Sequence, residues 1–122
     1  GQLSMRYVFR RPCFPVIIVA GDRVFGSPST AGVKKVLRRE AKPGVKLRLL
    51  DATWEWFEVL SDLDAIAPSL VDRTAPTKRS VVALVNGRSN RAPSTPLYEP
   101  RSLSNRTRDD VLAELLAVLP AG

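Results

Sequence analysis

"VKLRLLDATWEWFEVL", Val45 to Leu60, holds two runs of mixed apolar and charged residues on either side of Asp51-Ala52-Thr53. That pattern predicts an antiparallel hairpin. With those three residues as the loop, Val45, Leu47 and Leu49 face Val59, Phe57 and Glu55, while Lys46, Arg48 and Leu50 face Glu58, Trp56 and Trp54. One face of the hairpin is then aliphatic and the other basic and aromatic. A two-residue loop at Ala52-Thr53 sets Leu47 opposite Glu58, a worse match.

Upstream of the hairpin, "MRYVFR" and "VIIVAGDRVF" read as β segments, the second turning at Ala20-Gly21-Asp22. "GSPST" then supplies turn and cap residues. Val33, Val36, Leu37 and Ala41 follow at helical spacing and stop at Pro43-Gly44, which predicts a short amphipathic helix. Between Val33 and Arg48 stand seven cations (Lys34, Lys35, Arg38, Arg39, Lys42, Lys46, Arg48) and one acid, Glu40. Residues 34, 38 and 42 stack at a spacing of four with 35 and 39 beside them, so the outer helix face is almost wholly positive.

Downstream, Ser61 or Asp62 is expected to cap a single helical turn carrying Leu63 and Ile66, stopped before Pro68. "TKRSVVALVNG" has Thr77 as cap and Gly87 as terminator, which favours helix over the strand suggested by Val81, Val82 and Val85. The run from Arg88 to Asn105 is rich in Pro and Ser and reads as a long surface loop. Thr107 with Asp110 three residues later makes a capping-box start, and Val111, Leu112, Leu115, Leu116, Val118 and Leu119 give the closing helix its apolar face. The expected fold is a small single α+β domain in which antiparallel hairpins pack one sheet face on two to four helices.

The 122 residues suffice for one domain with a real core, and 44% hydrophobic against 25% charged residues is an ordinary globular balance. Gly1-Gln2-Leu3-Ser4 ahead of Met5 reads as a cloning remnant, leaving residues 5–122 as the domain. Cys13 is the chain's single cysteine and has no histidine to activate it, so it reads as a small apolar side chain. The apolar run after Arg10-Arg11 is short and broken by Pro15, and no stretch of about 20 apolar residues exists to span a membrane. A reducing, bacterial-type cytoplasm is the expected setting.

Formal net charge is +7, unevenly spread. Up to residue 32 the balance is +3, from 33 to 48 it is +6, and from 49 to 71 it is −5; residues 72 to 108 return +6 and the tail gives −3. Either the acidic block folds back on the basic one, or the two lie apart and leave a positive patch.

The missing residue types exclude most common chemistries. With no histidine there is no Ser-His-Asp or Cys-His unit, and one Cys among carboxylates makes a poor zinc site. "AGDRVFGSPSTAG" places glycines between a strand and a helix, but its spacing is not that of a phosphate-binding loop. Asp51, Glu55, Glu58, Asp62 and Asp64 could hold magnesium or form an acid/base pair, yet scattered acids on a hairpin are more often solvated or paired with cations. No catalytic residue, cofactor or metal is therefore expected.

The remaining candidate is a polyanion-binding surface of Lys34, Lys35, Arg38, Arg39, Lys42, Lys46 and Arg48 with Trp54 and Trp56 as stacking rings, a mixture suited to single-stranded nucleic acid. The competing and stronger reading puts both tryptophans in the core under the closing helix or the 88–105 loop, with Arg48 stacked on Trp56, because large aromatics are mostly buried. The function expected from sequence is thus a small basic non-catalytic binding module for nucleic acid or another polyanion, an acidic protein included. A protein-interaction or regulatory subunit that docks a partner through the 88–105 loop or an apolar patch is the alternative.

Overall fold

The computed structural model describes residues 6–60 and 64–121. Six strands form one sheet: β1 (Arg6–Tyr7), β2 (Val16–Ala20), β3 (Arg23–Ser27), β4 (Leu47–Leu50), β5 (Trp56–Leu60) and β6 (Ala65–Pro68). Three helices accompany them: α1 (Thr30–Glu40), α2 (Lys78–Asn86) and α3 (Arg108–Val118). Across the sheet the order is β1-β6-β5-β4-β2-β3, with every neighbour antiparallel except the parallel pair β1 and β6. The α+β class follows directly from this arrangement.

Each helix starts and stops where side chains satisfy its orphan backbone groups. The Ser29 hydroxyl accepts from Gly32 N in α1, Thr77 accepts from Ser80 N in α2, and Thr107 and Asp110 cap α3 reciprocally. Asp109 and Asp110 also set negative charge at the positive end of α3. Gly87 closes α2, its N–H bonding the Ala83 carbonyl.

Both faces of the sheet are covered, where the sequence suggested one. Val33, Val36 and Leu37 of α1 pack on Val16, Ile18, Phe25, Leu49 and Phe57. On the opposite face Val81 and Val85 of α2 and Val111, Leu112 and Leu115 of α3 pack on Ile17, Val19, Val24, Leu50 and Trp56. Val16 to Ala20 are consequently buried at every position, which explains an apolar run that does not alternate.

The β4–β5 hairpin pairs Arg48 with Glu58, Leu49 with Phe57 and Leu50 with Trp56. That is two residues away from the expected register, with a loop of five residues, 51–55, in place of three. Asp51 is the physical reason. Fully buried, it accepts at Oδ1 from Thr53 N (3.0 Å), Thr53 Oγ1 (2.6 Å) and Glu55 N (3.1 Å), and at Oδ2 from Cys13 N (2.9 Å) and Arg10 Nη1 (3.2 Å). The loop wraps around this carboxylate, and Trp54, at φ 63°, leaves the strand to enter the core. A shift of two preserves which residues share a face, so the sidedness expected of the hairpin stands while its partners change.

The helical turn expected near Ile66 is instead strand β6, paired to β5 on one side and β1 on the other; Ser61, Asp62 and Leu63 lie outside the described residues. The 88–105 run carries no helix or strand, as expected of a loop. It is fastened nonetheless. The Asn90 side chain bonds both backbone groups of edge-strand residue Val24, donating to its carbonyl (2.8 Å) and accepting from its N–H (2.9 Å). Gly26 N, further along the same edge, donates to Pro120 O at 3.0 Å. The β3 edge is thereby closed to further pairing. Tyr98 and Asn86 exchange two hydrogen bonds, and the Tyr98 hydroxyl donates to Glu114.

Candidate functional site: the basic face of α1

The apolar stripe of α1 points its opposite side outward by helical periodicity. Lys35, Arg38 and Arg39 are exposed there, Lys34 is half-buried, and Lys42 and Lys46 are exposed just beyond the helix. Neighbouring cations at a spacing of four cost the helix about 0.2–0.5 kcal/mol per pair. For Arg38 and Arg39 the cost is offset by their place in the last turn, where the helix dipole favours positive charge.

Glu40, the one acid in this stretch, does not neutralise the outer face. It is buried, with Oε1 2.5 Å from Arg23 Nε and Oε2 3.8 Å from Arg39 Nε. The Arg23–Glu40 approach is an ion contact without hydrogen-bond alignment. Both arginines also lie over the Phe25 ring, 5.4 and 4.9 Å from its centre. Arg39 is thus engaged by its own domain. Among the described residues, ion pairs engage Arg10, Arg23, Arg39, Arg48 and Arg106, and none engages Lys34, Lys35, Arg38, Lys42 or Lys46.

Three of the residues proposed for this surface from sequence belong elsewhere. Trp54 is 2% exposed and Trp56 7%, both within the cluster beneath α2 and α3, so neither ring is free to stack on a base. Arg48 lies 4.2 Å from the centre of the Trp56 ring and 3.9 Å from Asp72, on the sheet face opposite α1. Arg108 covers Trp54 at 5.7 Å. Large rings gain more from core burial than the solvated face could offer them.

Sequence reasoning also missed the ion cluster beneath the hairpin. Arg10 binds Glu55 through two guanidinium nitrogens, reaches Asp51 and Thr53, and lies 4.6 Å from the Phe57 ring centre. Burial by itself would lower the Arg10 pKa; Glu55 and Asp51 outweigh it and hold the guanidinium above its ordinary value. Cys13, read as a small apolar side chain, is exposed, its backbone serving Asp51 and Ala52. Arg88 is buried, and none of the ion pairs among the described residues engages it. It donates to Val85 O (2.6 Å) and Val118 O (3.3 Å), clamping the negative ends of α2 and α3, and burial followed by the nearby Arg91 lowers its pKa.

Compared with family models, curated proteins and solved structures, the chain finds no match. No helix among the described residues is long and apolar enough to cross a membrane.

Proposed function

We propose that this protein is a small non-catalytic binding module whose α1 face holds a polyanion, foremost the phosphate backbone of nucleic acid. The observation that carries this reading is the pairing pattern. Lys34, Lys35 and Arg38 share one helix face and Lys42 and Lys46 follow it, all outside the ion pairs of the described residues, while Glu40 is turned inward onto Arg23 and Arg39. With both tryptophans in the core, binding runs through phosphates without base stacking, so it is indifferent to sequence and does not prefer single strands.

The non-catalytic part of the reading rests on the engagement of the candidate acids. Asp51 and Glu55 are committed to Arg10, and Glu58 stands opposite Arg48. A reducing cytoplasm fits a chain whose one cysteine has no internal partner for a disulfide.

The test is a titration of isotope-labelled protein with a short mixed-sequence DNA duplex, followed through its amide NMR signals. Perturbations clustered on residues 30–46 support the assignment. Perturbations centred on the β4–β5 hairpin, or none at low salt, defeat it.

A further inference from the structure

At the far end of the sheet from β3, two apolar side chains, Phe9 and Leu70, are held in solvent at an open groove of about 350 Å³, with Val71 exposed next to Leu70 in the chain. Phe9 is 88% exposed, Leu70 69% and Val71 79%. Phe9, Pro68, Ser69, Leu70, Glu55 and Arg73 line the groove. Isolated exposed apolar residues need no explanation, but Phe9 and Leu70 together with Pro68 around one hollow are the composition of a docking site.

The backbone holds these side chains outward. Phe9 sits at φ 71° with Arg10 N donating to Val8 O at 2.9 Å, the rare γ-turn that a bulky residue adopts only under constraint. The buried Ser69 hydroxyl accepts from Val71 N (3.3 Å) and Asp72 N (2.9 Å), and Ser69 N donates to Trp56 O (2.9 Å). Leu70 and Val71 therefore stand on a turn pinned to the sheet. Apolar groups fixed in water before a partner arrives lose little entropy when it does.

Charge selects the partner. Glu55 is neutralised by Arg10. Arg73 bonds only the Leu70 carbonyl through Nε and forms no ion pair among the described residues, leaving the groove one uncompensated cation. A second copy of the chain carries a net charge of +7 of its own, the same sign as Arg73. We infer that this groove docks a peptide segment of another protein in which apolar side chains stand beside a carboxylate, the apolar groups meeting Phe9 and Leu70 and the carboxylate meeting Arg73. The site is separate from the α1 face.

The experiment uses a fluorescein-labelled peptide of sequence Gly-Asp-Leu-Phe-Asp-Gly, its twin with Asn at both Asp positions, and the full chain. Expected is saturable binding that favours the acidic peptide, falls about tenfold or more in Phe9→Ser and in Leu70→Ser, and loses its preference for the acidic peptide in Arg73→Glu. All three positions are exposed, so circular dichroism should match the parent. No binding at millimolar peptide overturns the proposal. So does binding abolished by neutralising Lys34, Lys35, Arg38 and Lys42 but not by Arg73→Glu, which would place the peptide on α1. A dimer in light scattering that disappears with Phe9→Ser would make the occupant a second copy and likewise overturn it.

Discussion

Arg48 lies over the ring of Trp56, 4.2 Å from its centre, and so belongs to the sheet's own packing, as the stronger of the two sequence readings expects. Because Arg48 sits across the sheet from α1, its removal separates stability from polyanion binding. Arg48→Ala should lower the unfolding free energy by roughly 0.5–1 kcal/mol through the lost cation–π contact. Affinity for duplex DNA should stay within twofold of the parent. Urea unfolding and anisotropy on the same preparation check both halves.

The loop around Asp51 leads to a larger effect. Its carboxylate is fully buried and serves five donors, so Asp51→Ala leaves the Thr53, Glu55 and Cys13 N–H groups without their acceptor and Arg10 with Glu55 as its one remaining acidic partner among the described residues. Removing one member of a buried charged network costs roughly 3–5 kcal/mol. A midpoint shift of that size in urea is expected, and a shift near zero would contradict the account of the hairpin.

How much of this was readable in advance depended on whether the cue was local. The caps of α2 and α3 stand in the sequence as Thr77 with Gly87 and as Thr107 with Asp110, and the helices fall between them. The two-layer expectation failed although its correction was present in Val16–Ala20, where five successive apolar residues without alternation call for cover on both faces. Trp54 gave no such cue. Its positive φ follows from the loop closing on Asp51, a tertiary cause that a non-glycine residue does not advertise. The same holds for β6, whose Ile66 acquires strand geometry by pairing on both sides. For the candidate site, the basic stripe of α1 was legible from spacing, whereas the diversion of Arg39 to Glu40 and Phe25 depended on where β3 packs.

Helix α1 seats so closely on β3 that a Cβ on Gly32 would lie 2.1 Å from Ser27 Oγ. Ser27 is buried and its hydroxyl is already bonded to the Ser29 carbonyl at 2.7 Å. Alanine gains about 1 kcal/mol in helix propensity over glycine. Overpacking of roughly 1–3 kcal/mol should override that gain. Gly32→Ala is therefore expected to lower the thermal midpoint, while Ala31→Gly on the exposed side lowers it through propensity alone.

Tyr98 ties the long loop to α3 through its 3.0 Å bond to Glu114. Burial, then that bond, raises its pKa. A raised folded pKa means the neutral phenol's contribution is intact below the ordinary tyrosine value of about 10 and is lost as pH climbs through the higher folded value. Unfolding free energy compared between the parent and Tyr98→Phe should show a gap that is constant below about pH 10 and narrows above it. A gap that widens with alkalinity would contradict the sign.

The most direct test of the α1 reading is the salt dependence of binding to a labelled DNA duplex, measured by anisotropy for the parent and for a variant with Lys34, Lys35, Arg38 and Lys42 all changed to Ala. The account predicts a steep log–log slope of roughly −0.9 per phosphate contact for the parent, and for the variant a slope about three to four units of contact shallower with an unchanged urea midpoint. Equal affinities and equal slopes for the two proteins, or no binding by the parent at low salt, would contradict it.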